Sequence, residues 1–256
     1  MKHFGKTLMA AALLAGAGAA NASIATGSAT LSEAFLSVYD KSQALTFTLD
    51  LGLTNGDLIA NVGNASYTKS FDLSAYALWN TFSAGLDASQ TVFTVAVGNG
   101  SKQLATSAGA PAAYTNLTVA AAAGTGIKNH AGAINGGALA DNPGETVSNT
   151  AANLSSLVAD SDTANTGQHN QLNTADTLWG TKSDAAANIA YGSAGNFFYL
   201  NGTAAPVLTA GKWTLAGNSL SYGPAVAAVP LPAAVWMFGA GLMGVLRMTR
   251  RKHAAA

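Results

Sequence analysis

The imidazoles that the body of this chain offers are His130 and His169, and neither stands in an H-E-x-x-H or other paired-ligand spacing for a metal. Set beside a Ser and an Asp, either would supply the base of a hydrolytic triad. Gly192-Ser193-Ala194-Gly195, however, lacks the G-x-S-x-G order of a nucleophile elbow. Asp160, Asp162 and Asn165 place side-chain oxygens as an acidic calcium loop would begin. The fifth position is Ala164, the sixth is not Gly, and no Glu closes the twelfth, so an EF-hand is excluded. A looser calcium site would draw on Asp160, Asp162 and Asp176, and a solvated turn accounts for the same residues. Gly124-Thr125-Gly126 runs into Ile-Lys-Asn-His, without the third Gly or the Gly-Lys-Ser/Thr end of a phosphate cradle. With no Cys there is no disulfide, thiol nucleophile or thiolate metal site. No catalytic, cofactor-binding or metal residue is therefore expected. Trp79 and Trp179, in less regular segments, are the aromatic side chains placed to stack on a sugar if exposed.

Charge narrows the partners. All twelve acids fall between positions 33 and 184, against six lysines in the same body, so the body carries a net charge of −6 although the whole chain is neutral. Nucleic-acid affinity comes largely from clustered Lys and Arg, so a nucleic-acid role is disfavoured. Charged residues make up only 9% of the chain, so solubility rests on Asn, Ser, Thr and Gly.

The basic residues that the body lacks lie at the two ends. Lys2 and Lys6 precede an apolar run over residues 8–20, followed by Ala20-Asn21-Ala22. A basic start, a short apolar stretch and small residues at Ala20 and Ala22 are the parts of a secretory signal, with cleavage expected after Ala22. At the other end, Val229-Pro230-Leu231-Pro232 leads into fifteen uncharged residues over 232–246, then Arg247, Arg250, Arg251 and Lys252. As a helix that stretch reaches about 22 Å, against a hydrocarbon core of about 30 Å. Pro232 suits the first turn of a helix, and the basic cluster should stay cytoplasmic, leaving the body outside.

Val229-Pro230-Leu231-Pro232, the Trp-, Phe- and Gly-rich apolar helix and the Arg-Arg-Lys stop together resemble the PEP-CTERM sorting tail in its VPLPA variant. The resemblance implies that the chain is a substrate of an exosortase, a membrane-embedded processing enzyme of Gram-negative bacteria that make exopolysaccharide. Pro230 and Pro232 would form the recognition motif, and the helix and basic cluster would hold the chain until cleavage nearby. Leu231 stands where Glu is commoner in the family. The resemblance covers about the last twenty-five residues. A plain single-pass anchor shares the apolar-then-basic order but not the Pro-x-Pro start.

Three parts follow: a signal peptide at 1–22, a secreted β-rich body at 23–225 and a sorting tail at 226–256. In the body, alternating residues meet tight-turn pairs. Residues 44–51 lead to Asn55-Gly56 and 57–62; residues 92–97 lead through Gly98-Asn99-Gly100 to 102–106. Residues 196–200 lead through Asn201-Gly202 to 206–209, and residues 212–216 through Gly217-Asn218 to 219–222. These four hairpins predict an all-β, antiparallel, sandwich-like fold. Residues 120–195, rich in Ala, Asn, Gly and Thr, read as a helical and loop-rich insertion. Val147, Leu154, Leu157 and Val158 are spaced as a short helix within 146–159, and residues 184–189 are a second helix candidate.

The functional expectation is an exported, non-enzymatic surface or matrix protein with a structural or adhesive role in a biofilm. Its partners would be signal peptidase, exosortase and exopolysaccharide, with a transient stay in the inner membrane. A secreted hydrolase or a carbohydrate-binding module on the same scaffold is the alternative.

Overall fold

A computed structural model describes residues 23–135, 146–149, 154–159 and 188–224. The strands are β1 (Glu33–Asp40), β2 (Leu45–Thr54), β3 (Lys69–Asp72), β4 (Thr91–Asn99), β5 (Lys102–Ser107), β6 (Thr146–Asn149), β7 (Leu154–Ala159), β8 (Ile189–Ala190), β9 (Ala194–Asn201), β10 (Val207–Ala216) and β11 (Ser219–Gly223). They belong to one antiparallel sheet in the order β3-β11-β10-β9-β5-β4-β1-β2-β7-β6, with β8 also paired to β4. The helices are α1 (Asn55–Ala60), α2 (Ala77–Ser83) and α3 (Leu117–Asn135). The mainly β expectation holds, with one sheet in place of the two facing sheets of a sandwich.

That sheet curls. From β10 to β2 is five strand spacings, about 24 Å if flat. Yet Trp79 of α2 packs edge-on against Phe47 of β2 and donates its indole N–H to Asn218 Oδ1, 2.9 Å away in the β10–β11 turn. The same approach is made by backbone: Tyr191 N donates to Thr91 O of β4, and Gly192 N donates to Leu215 O of β10. The inner face encloses the larger core, where Leu36, Phe47, Phe93, Leu104, Phe197 and Trp213 surround Trp79 and Phe82. On the outer face, α3 lays Ala120, Ala123, Ile127, Ala131 and Ile134 over Phe35, Ala96, Ala105 and Phe198 to form a second core.

Three of the four expected hairpins stand: β4–β5, β9–β10 and β10–β11. Asn55-Gly56 instead opens α1. Thr54 caps it, its hydroxyl accepting from Asp57 N at 3.1 Å, and Asp57 places a carboxylate in the first turn. The buried Asn55 amide donates to Ala29 O at 2.5 Å, so the Asn serves as a tether rather than a turn residue. Strand β2 already has β1 and β7 on its two sides and needs no third partner.

The helix expected over 146–159 is likewise β6 and β7. Strand β7 pairs with β2 from Leu45↔Ala159 to Leu49↔Ser155, and burial on both faces removes the clean alternation that would have marked it as a strand. Ile189, placed in a second helix candidate, is in β8, while residues 184–187 lie outside the described residues. The described helix of the helical and loop-rich insertion expected over 120–195 is α3, which begins three residues before it and takes in its first sixteen.

Candidate functional site

The sorting motif Val229, Pro230, Leu231 and Pro232, the cluster Arg247, Arg250, Arg251 and Lys252, and the cleavage residues Ala20 and Ala22 lie outside the described residues. So do His169, Asp160, Asp162, Asp176 and Trp179. No helix among the described residues is long and apolar enough to cross a membrane.

The borders of these two segments are described, and both are tied down. Ile24, two residues beyond the expected cut, is 0% exposed and belongs to the outer core. Its N–H donates to Asn135 Oδ1 at 2.7 Å, and its carbonyl accepts from Asn135 Nδ2. Next along the chain, Ala25 N donates to Glu33 Oε2 at 2.7 Å, and Ala25 O accepts from Glu33 N at 2.8 Å. Asn99 Nδ2 donates to the carbonyls of Thr26 and Gly27. The segment has no strand pairing of its own, so side chains of α3, β1 and β4 satisfy its backbone.

At the other border, β11 is an interior strand. Its partners are β10, from Lys212↔Gly223 to Ala216↔Ser219, and β3, from Tyr222↔Lys69 to Ser219↔Asp72. Tyr222 is buried against Trp213 and Phe197, and its hydroxyl accepts from Gly211 N. The described part of the compact unit ends at Pro224.

Comparison of the chain with protein-family models, curated proteins and solved structures finds no match. The chemistry must be judged from the side chains themselves.

His130 lies on α3 with 3% exposure, its ring 5.1 Å from that of Phe35, so it presents no solvent-facing imidazole. Trp79 is fully buried and makes no sugar platform. Phe197, Phe198 and Trp213 are also buried, while Tyr67, Phe71, Tyr76, Tyr191 and Tyr199 are half-buried against the inner core. No group of three His, Cys, Asp or Glu side chains among the described residues is placed to hold a metal ion.

Two polar features escape a reading of the sequence. Register sets Thr94 opposite Ser37, Ser37 opposite Thr48 and Thr48 opposite Ser156, so four hydroxyls cross four strands in one buried row. Thr94 Oγ1 donates to Asn188 Oδ1 at 2.9 Å. Beyond this row, the outer face of β10, β11 and β3 carries Thr214, Ser221 and Ser70 in one line and Ala216, Ser219 and Asp72 in the next. Ser70, Asp72, Ala216 and Ser219 are exposed, so this face shows small side chains, most of them polar.

Asp50 is the buried carboxyl with a consequence. Burial raises its pKa to about 6; the Gly52 N–H at 2.8 Å opposes the rise, and the charge of Glu33 adds to it. Below about pH 4 the group is protonated in both folded and unfolded chains. Between about 4 and 6 the unfolded chain ionises first, so folding stability falls as pH rises, and the loss is complete above 6. Two pKa units correspond to about 2–3 kcal/mol. Asp50→Asn is expected to remove that decline and to be the more stable chain at pH 8, as urea titrations at pH 4, 6 and 8 would measure. An unchanged pH slope would contradict it.

Proposed function

We propose that this chain is an exported surface or matrix protein whose tail is cut by an exosortase, and whose β body then serves a structural or adhesive role in an exopolysaccharide matrix. The observation that carries this reading is the C-terminal border. A strand held on both sides closes the compact unit at Pro224, and only residues 225–228 separate it from the Pro-x-Pro motif. A cut at or near the motif leaves every described strand in the sheet, so the body keeps its fold on release.

The acidic, Cys-free body favours contact through neutral groups over contact through charge. The exposed Ser70 and Ser219, with the half-buried Thr214 and Ser221 beside them, supply hydroxyl donors and acceptors suited to a polyhydroxylated polymer. A buried Trp79 weighs against the aromatic-platform version of a sugar-binding module.

Processing gives the test. Expressed in a host that carries the exosortase, the chain should yield a mature form whose mass lacks everything beyond the Pro-x-Pro motif, the apolar stretch and the basic cluster included. The Pro230→Ala, Pro232→Ala double variant should be exported but stay uncut, with at least a tenfold loss of processed protein on intact-mass analysis. Wild-type chain that retains its basic cluster in such a host would refute the sorting reading.

A further inference from the structure

The N-terminal border has a consequence for the order of events during export. Both backbone polar groups of Ile24 are taken up by one side chain, that of Asn135, the last residue of α3. Its alkyl group fills the outer core beside Phe35, Ala131 and Ile134. Glu33 holds both backbone groups of Ala25, and Gly56 N donates to Thr30 O at 2.8 Å. From residue 24 to residue 30 the segment is a strap clasped by β1, α1, the β4–β5 hairpin and the end of α3.

A protease that cuts after Ala22 must bind the residues on either side of the bond in extended form, through their main-chain N–H and C=O groups. Ser23 and Ile24 are the first two residues beyond that bond. In the folded body the polar atoms of Ile24 are occupied and its side chain is enclosed. Cleavage and docking therefore compete for the same atoms.

We infer that the closed strap shuts out the protease, so that the signal segment has to be removed before the strap docks and completes the outer core. This rests on the export reading above. Once cut, the chain starts at the exposed Ser23, whose new ammonium group stands one residue before Ile24, the residue that Asn135 holds. Asn135 is the last residue of α3, and the C-terminal end of a helix favours a positive charge. The charge created by the cut thus favours the dock, while a peptide bond at the same place would carry none.

The experiment uses the full-length precursor in detergent with purified signal peptidase. Precursor folded before the enzyme is added should be cut at least tenfold more slowly than the same chain presented from urea, and Asn135→Ala should recover most of the difference. Equal rates for folded and unfolded wild-type precursor would overturn the inference. No cut in either state would remove the export reading, and with it this order of events. A second measurement addresses the clasp alone. In mature chain beginning at Ser23, Asn135→Ala should lower hydrogen-exchange protection of the Ile24 amide by at least tenfold and leave that of Val95 in β4 unchanged. Unchanged protection at Ile24 would show that Asn135 is not the clasp.

Discussion

Replacing Trp79 by Ala is expected to cost the body about 3–5 kcal/mol, the range found when a fully buried large aromatic is truncated. Three contacts place it in that range. The indole meets Phe47 edge-on with ring centroids 5.2 Å apart, lies 5.5 Å from Phe82, and donates to Asn218 Oδ1 at 2.9 Å. The first two belong to the core inside the curl; the third reaches the turn between β10 and β11. Truncation therefore opens a cavity and unties α2 from the strand that closes the body. For a body of about 200 residues such a loss lowers Tm by roughly 10 °C. Trp79→Phe keeps most of the ring volume and loses the hydrogen bond to the exposed Asn218, and should cost about 0.5–1.5 kcal/mol. Urea unfolding of the two variants should rank them in that order. A Trp79→Ala chain as stable as wild type would mean that the sheet does not curl around this side chain.

Turn chemistry was the most legible part of the sequence. Gly100, Gly202 and Gly217 have φ of +61°, +59° and +56°, so the pairs that marked these three hairpins do supply the left-handed residue. Asn55-Gly56 carries the same letters, but there the neighbours decide. Thr54 and Asp57 cap a helix, and a carbonyl twenty-six residues back engages the Asn amide. Local pattern could not show that β2 would find its second partner in β7, more than a hundred residues later. The two terminal segments proposed as signals are written in contiguous residues and need no tertiary structure to read. The clasp on the N-terminal strap is the opposite case: Asn135 lies 111 residues from Ile24, and an Asn at a helix end reads as an ordinary cap or turn residue until the fold brings the two together.

Helix α3 was hidden by glycines, and they lead to the second large expected effect. Gly carries a helix penalty of about 1 kcal/mol relative to Ala, so Gly124, Gly126 and Gly132 within a few turns weaken any local helix reading. In the structure they differ. A Cβ on Gly124 would overlap the backbone of Gly100 at the tip of the β4–β5 hairpin, whereas a Cβ on Gly132 would meet nothing within 4 Å. Gly124 is thus the point where helix and hairpin backbones touch. Buried Gln103 fastens the same contact, donating to Ala120 O at 2.5 Å and to Gly100 O at 3.3 Å while accepting from the Tyr114 hydroxyl at 2.7 Å. Neither backbone can yield without breaking those bonds. Gly124→Ala should therefore lose more in overpacking than it gains in propensity, a net destabilisation of about 2 kcal/mol. Gly132→Ala, the same substitution two turns on, should stabilise by up to about 1 kcal/mol. Because α3 ends at Asn135, lifting it from the hairpin also loosens the clasp. The Gly124→Ala chain should then lose amide protection at Ile24 before the strands of the inner core lose theirs. If both alanine variants shift the urea midpoint in the same direction, α3 does not seat on the hairpin through Gly124.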